Sequence, residues 1–247
     1  MTTNASKAAT LAGTTYNLSG QRLGRKGQET RKRIIAAMEY LLEEEAAPVT
    51  LSAIARHAGL GMSTLYLYFP DLGDLLLAVL DRAMDEGDQE FVQYLRDRWP
   101  DEDLADSALT FVRAYFDFWR RHAPLLRMRN SFADAGDKRL VRYRYETTMP
   151  LIGLLVQQMD ADNTPDSLYR NCAGVLLTGL ERIATIVMSP YSPESGVPRD
   201  PHQPRDDLER TAVAQAKILE TVMRASRAAA WQAGRPQADG PEPSGAV

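Results

Sequence analysis

The chain has 247 residues, of which 44% are hydrophobic and 25% charged, so it is long enough for one small domain and one larger one and has the make-up of a globular protein. No window of about 18 uncharged apolar residues suggests a membrane span, and no apolar signal-like core opens the N-terminus, so a cytoplasmic protein is expected. The lone Cys172 cannot form an internal disulfide, the three histidines His57, His122 and His202 lack metal-ligand spacing, and neither a metal nor a cofactor is expected. The net charge of −4 does not point to a nucleic-acid partner on its own. Its distribution is more informative: residues 1–33 carry Lys7, Arg22, Arg25, Lys26, Arg31, Lys32 and Arg33 against only Glu29.

Residues 1–24, rich in Ala, Thr, Gly and Ser, read as a disordered arm, either a passive tail or a basic arm for a polyanion. The first helix is expected over Gln28 to Glu45, with Ile34, Ile35, Met38, Leu41 and Leu42 on one face. Its cations come first and Glu43, Glu44 and Glu45 last, an order that opposes the helix dipole. Phosphates near Arg31, Lys32 and Arg33 would offset that cost; a solvated face is the plain alternative.

A short helix from Leu51 to Ala58 follows, with Thr50 as its cap and Leu51, Ile54, Ala55 and Ala58 on one face. Gly59 supplies the tight turn. A second short helix, about Met62 to Tyr68, packs Leu65 and Phe69 and presents Met62, Ser63, Thr64, Tyr66 and Tyr68. Pro70 ends it. Two short helices about a glycine turn form a helix-turn-helix, which sets a recognition helix in the DNA major groove.

The stretch A-G-L-G-M-S-T-L-Y-L-Y-F-P-D-L-G-D-L resembles the signature of the tetracycline-repressor (TetR) family at Ala58, Gly59, Thr64, Leu65, Tyr66, Tyr68, Phe69 and Leu75, and the resemblance extends over about residues 28–80. Two positions depart from the family pattern. Gly61 stands where a capping serine is usual, and Leu72 where a phosphate-reaching lysine is usual. The resemblance implies an all-α fold. It implies an N-terminal three-helix DNA-binding domain, over 25–73, and a C-terminal helical domain for effector binding and dimerisation, over 74–231. It also implies a ligand-responsive repressor that binds a palindromic operator as a homodimer. A protein-interaction or activator variant with a weakened DNA-binding domain is the alternative, motivated by Gly61 and Leu72.

Hydroxyls donate to phosphates and a threonine methyl can meet thymine, so Arg31, Thr50, Arg56, Met62, Ser63, Thr64, Tyr66 and Tyr68 are the candidate DNA contacts. None of the recognition-helix residues makes the bidentate pairs that read bases best, so shape, water or Arg56 and the arm must contribute. On this reading Tyr68→Phe and Arg31→Ala each weaken operator binding.

Beyond Pro70 a long helix is expected from Asp74 to about Arg98, where Trp99-Pro100 stops it. Asp103 to His122, broken at Ala123-Pro124, and Leu125 to Phe132 come next. Lys138 to Met159 holds Pro150, where a kink or break is expected. Pro165 fits the first position of a helix from Asp166 to Met188. That helix is apolar on two sides, Cys172, Val175, Leu176, Gly179, Ile183 and Val187 on one and Leu177, Leu180, Ala184 and Met188 on the other. The proline-rich stretch 189–205 reads as a loop, Asp206 to Trp231 as the last helix, and 232–247 as a disordered tail.

In the family the last two helices pair with those of a second subunit, which makes Cys172, Val175, Leu176, Gly179, Ile183, Leu219 and Val222 the candidate dimer contacts. The implied ligand pocket is expected near Tyr115, Phe116, Trp119, Met128, Phe132, Arg142, Tyr145, Met149 and Arg182, residues that fit an ordinary core as well. Arginines gathered between 120 and 144 suit an anionic or amphipathic small-molecule effector, or simply a solvated basic face. No nucleophile–base pair, phosphate loop or metal cluster suggests an enzyme.

Overall fold

The computed structural model describes residues 22–44, 48–189, 191, 196–197 and 206–233. Nearly all of the expected arm, tail and 189–205 loop lies outside them. The described residues form eight α-helices and one short 3-10 turn, with no strand, as the all-α reading expects.

Helix α1, Arg25–Glu44, starts three residues earlier than the periodicity suggests and buries Ile34, Ile35, Ala37, Met38 and Leu42. Helix α2, Leu51–His57, is capped as expected: the Ala53 amide donates to the Thr50 hydroxyl at 3.2 Å. Gly59 then takes φ +62°, a conformation a side chain would strain, and turns the chain into α3, Met62–Tyr66. Helix α3 is shorter than expected, because the backbone leaves the helix as a turn at Leu67 and Tyr68 before Pro70.

Asp71 caps α4, Leu72–Glu90, by accepting from the Asp74 amide at 2.9 Å, so the helix starts two residues before Asp74. It also ends eight residues before Arg98. Phe91, at φ −122°, leaves the helix to bury its ring against Phe111, Tyr115 and Phe118, and a 3-10 turn, Val92–Leu95, follows. The buried Gln158 amide holds this exit by donating to the carbonyls of Leu95 (2.9 Å) and Asp97 (2.6 Å) and accepting from the Trp99 amide (3.0 Å). These are long-range partners that periodicity does not reveal.

Helix α5, Leu104–Asp134, is the hub of the C-terminal domain and packs against α4, α6, α7 and α8. The break expected at Ala123-Pro124 is realised as a kink: His122 has φ −108° and ψ 16°, and the helix resumes on the far side. Helix α6, Lys138–Gln158, runs unbroken through Pro150. Helix α7, Leu168–Val187, begins later than expected, so Pro165 sits in the preceding turn. Helix α8, Asp206–Ala233, lies along α5. Its buried Arg227 donates to the carbonyls of Gln158 (2.8 Å) and Trp99 (2.9 Å) and to Asp101, tying the α4–α5 connection to the end of α6.

Candidate nucleic-acid interface and effector groove

Helix α3 is anchored by Leu65 and by Phe69 just beyond it, both buried. The opposite side is in solvent. Ser63 and Tyr66 are exposed, Thr64 is half-buried, and Thr50 and Arg56 are exposed beside them on α2 and its cap. Met62 and Tyr68 are partly buried against the core, so the two ends of α3 offer less to a ligand than the sequence pattern implies. Leu67, which the pattern does not single out, is 49% exposed next to Tyr66 at 47% and gives the surface an apolar spot. No side chain caps α3 at Gly61, and Leu72 packs against the core rather than reaching outward.

Arg31 departs most from expectation. Its guanidinium lies 5.1 Å over the Phe69 ring, and burial, only partly offset by Asp81, lowers its pKa. A charge held that way fixes the far end of the recognition unit instead of standing free for a phosphate. Arg25, Lys26, Lys32 and Arg33 on the same helix are exposed and remain available.

Two contacts join this domain to α6. Tyr143 of α6 faces Asp81 of α4; burial raises the pKa of both, Asp81 raises that of Tyr143 further, and Tyr143 in return pulls that of Asp81 down without cancelling the burial. Asp81 in turn is the carboxylate nearest Arg31 in effect, so α6, α4, α1 and Phe69 are linked in series. Arg139, one turn earlier on α6, donates to Asp71 at 2.9 Å, Asp74 at 2.6 Å and Asp137 at 2.8 Å. Gly73 lies against this cluster, where an added Cβ would come within 2.6 Å of that guanidinium and push it aside. Burial opposes ionisation of Asp71, but Arg139 and the amides of Asp74 and Gly73 outweigh it and leave its pKa lowered; Asp137 is lowered chiefly by Arg139.

Between α5, α6 and α7 opens a groove of about 710 Å³. Tyr145, Met149 and Arg182 line it, as expected of ligand contacts, together with Ser131, Thr148, Thr178 and Thr185. Arg182 has no ion-pair partner among the described residues, whereas Arg144 is paired with Asp134. The other expected ligand contacts lie elsewhere. Tyr115, Phe116 and Trp119 are buried core, Met128 and Phe132 pack against that core, and Arg142 is exposed and paired with Glu146. The aromatic density of α5 fills the domain rather than hollowing it; only about 20 Å³ remains beside Tyr115 and Trp119. The buried Arg129, bonded to Glu181, stands at that inner space, and Glu181 lines the groove as well.

The two apolar sides of α7 have different surroundings. Leu177, Leu180, Ala184 and Met188 are buried, and Val187 joins them. Cys172, Leu176, Gly179 and Ile183 are half-buried, Val175 is 74% exposed, and Leu168 and Ile186 are exposed along the same helix. An added Cβ on Gly179 would meet nothing within 4 Å, which leaves room for a second helix. On α8, Val222 is half-buried, but Leu219 is buried in its own chain beside Phe111 and Leu177, so it is a core residue and not an interface one. Ala214, Ile218, Thr221, Ala225 and Ala228 form the exposed, mostly small side of α8.

The family model described as bacterial regulatory proteins of the tetR family matches residues 34–79, the stretch from α1 through α3 into α4. Residues 34–79 therefore carry a TetR-type N-terminal domain. The chain is 30% identical over 129 residues to the HTH-type transcriptional regulator EthR of Mycobacterium tuberculosis, a match that covers 51% of this chain and 56% of that protein. It is 31% identical over 85 residues to the HTH-type transcriptional regulator SAB2452 of Staphylococcus aureus, covering 34% and 46% of the two. Over these matches the chain spans about half the length of the relatives. The fold as a whole is similar to that of a tetR-family transcriptional regulator from Streptomyces coelicolor, with a TM-score of 0.60 and 24% identity over 87% of this chain and 92% of that one. Among the described helices none is long and apolar enough to cross a membrane.

Proposed function

We propose that this protein is a DNA-binding transcriptional regulator, acting as a ligand-responsive repressor. The observation that carries the reading is the solvent-facing side of α3, Ser63, Tyr66 and Leu67 beside Thr50 and Arg56, set on the buried Leu65–Phe69 anchor inside the matched domain. Hydroxyls and Arg56 suit phosphates, and Leu67 suits a thymine methyl. The half-empty apolar side of α7 with the small-residue side of α8 supports a homodimer through a four-helix bundle. Two recognition helices would then meet half-sites about one DNA turn, roughly 34 Å, apart on a palindrome. The groove lined by Tyr145, Met149 and Arg182 is the proposed effector site, and the uncommitted Arg182 favours an anionic or amphipathic effector.

The uncapped α3 and the inward Leu72 favour a second reading, a protein-interaction or activator variant with weakened DNA binding. One experiment separates the two. The purified chain is used to select sequences from a random duplex pool, and the selected duplex and an unrelated one are compared by fluorescence anisotropy across a salt series. A palindromic consensus bound at least about 10³ times more tightly than unrelated DNA supports the repressor reading. Equal, weak binding to both duplexes refutes it.

A further inference from the structure

A second cavity, of about 510 Å³, opens where α1 and α4 meet the kink of α5, and shares only Arg127 with the lining of the proposed effector groove. Its floor is apolar: Leu42 of α1, Val79 and Ala83 of α4, Leu125 of α5 and Met188 at the end of α7, all buried. Its rim is charged. Arg82, Arg120, Arg121 and Arg127 stand there, but each guanidinium already has a partner: Glu39, Asp117, Glu90 and the Met188 carbonyl respectively. The carboxylates are less well served. Glu43 has no ion-pair partner among the described residues, and Glu86 faces only His122, at 3.6 Å. Glu39 lies close enough to both to feel their charge.

The kink adds acceptors. Pro124 has no amide proton, so the Arg120 carbonyl loses its helical donor. The Nε2 atom of His122 is buried without a hydrogen-bond partner. Burial keeps this imidazole neutral by lowering its pKa, against the pull of Glu86 and Glu90. With the ring proton on Nδ1, Nε2 is free to accept. The cavity therefore has committed cations, uncommitted acceptors and an apolar floor.

We propose that this junction cavity is a second small-molecule site and that it takes an amphipathic organic cation, an amine carried on an aromatic or aliphatic body. The ammonium group lies between Glu43 and Glu86 within reach of His122, and the body rests on Leu42, Val79, Ala83, Leu125 and Met188. An anion of the same shape would meet carboxylates that have no cation to spare for it. The occupant touches α1, α4 and the α5 kink together, so it sets how the DNA-binding helices sit on the C-terminal domain. If the protein prefers one such arrangement on DNA, the cation and DNA affect each other's affinity by the same factor.

The test uses the full-length purified protein without DNA, so its outcome is independent of the regulator reading. Three probes of one shape are titrated by isothermal calorimetry at pH 7.5: biphenyl-4-ylmethanamine, biphenyl-4-ylmethanol and biphenyl-4-carboxylate. The amine is expected to bind about tenfold or more tightly than the alcohol, with the carboxylate weakest. The Glu43→Gln/Glu86→Gln variant changes two exposed side chains, is expected to keep the helical signal, and is expected to bring the amine down to the level of the alcohol. Arg182→Glu, in the effector groove, should leave amine binding unchanged. Equal binding of the three probes, tighter binding of the carboxylate, or amine binding that survives the glutamine variant but responds to Arg182→Glu would overturn the proposal.

Discussion

Replacing Arg139 by alanine tests whether α6 is latched to the start of α4. The side chain is about two-fifths exposed and joins three carboxylates, Asp71, Asp74 and Asp137. An exposed ion pair contributes about 0.2–1 kcal/mol, so three sharing one guanidinium come to about 1–2 kcal/mol after screening. For a chain of this size that lowers Tm by about 2–8 °C. The pH dependence gives the sharper signature. Asp71 and Asp137 have folded-state pKa values below their unfolded ones. Their contribution is therefore complete above the unfolded carboxylate value, about 4, and is lost as pH falls through the lower folded values. Urea titrations followed by circular dichroism should show the full difference between wild type and Arg139→Ala at pH 7 and a shrinking one between pH 5 and pH 3. Arg139→Lys, which keeps the charge but not the fork, should fall between the two. A difference that stays constant across that range, or none at pH 7, would show that the latch contributes nothing.

Tyr66→Ala removes an exposed ring and should weaken binding to the selected duplex about tenfold with Tm unchanged, whereas Arg56→Ala should lower the slope of log K against log salt by about one; anisotropy reads both. Gly61→Ser adds the missing cap at φ −74° and ψ 151°, a conformation serine adopts freely, and should raise stability by a few tenths of a kcal/mol while tightening DNA binding. Val175→Glu places a charge on the exposed side of α7 and should convert a dimer to a monomer in sedimentation velocity without loss of helical signal. Arg227→Ala leaves the Gln158 carbonyl without this buried donor and leaves Asp101 and the Trp99 carbonyl to Arg98 alone, and should cost about 2–3 kcal/mol in urea denaturation, more than the surface changes.

The all-helical architecture and the helix-turn-helix are legible in the sequence because both depend on local signals: apolar spacing in α1 and α2, Thr50 as a cap, Gly59 as a turn, Pro70 as a stop. The readings that miss depend on partners far along the chain. Arg31 reads as a free cation because Phe69 and Asp81, 38 and 50 residues away, leave no mark on its neighbours. Helix α4 reads as continuous to Arg98 because Gln158, which captures the carbonyls of Leu95 and Asp97, belongs to α6. Tyr115, Phe116 and Trp119 have the composition of a pocket lining, and composition does not tell a filled interior from an open one. For α7 the two apolar sides are visible in the spacing, but which one the chain itself covers depends on where α5 and α8 pack.

Helix α6 presents Arg139 and Tyr143, four residues apart and so on one side, to the DNA-binding helices. Val141, Arg144, Tyr145 and Thr148 lie on another side and line the groove. The helix is rigid over this span, since Asp137 caps its start and no break falls before Gln158. A ligand that rotates α6 to improve its contacts with Tyr145 therefore moves Arg139 and Tyr143 together. Arg139 acts on the cap of α4, two residues past Phe69, and Tyr143 acts through Asp81 and Arg31 on Phe69 itself. One route ends on Phe69, which anchors α3, and the other on Asp71 just beyond it, so a turn of α6 loads both ends of that short segment unless Arg139 and Tyr143 release. A ligand needs only to prefer one orientation of α6 by more than those two contacts contribute. This arithmetic makes Arg139→Ala/Tyr143→Phe informative beyond its stability cost: the double variant should bind the selected duplex yet respond less to any groove ligand than either single variant does.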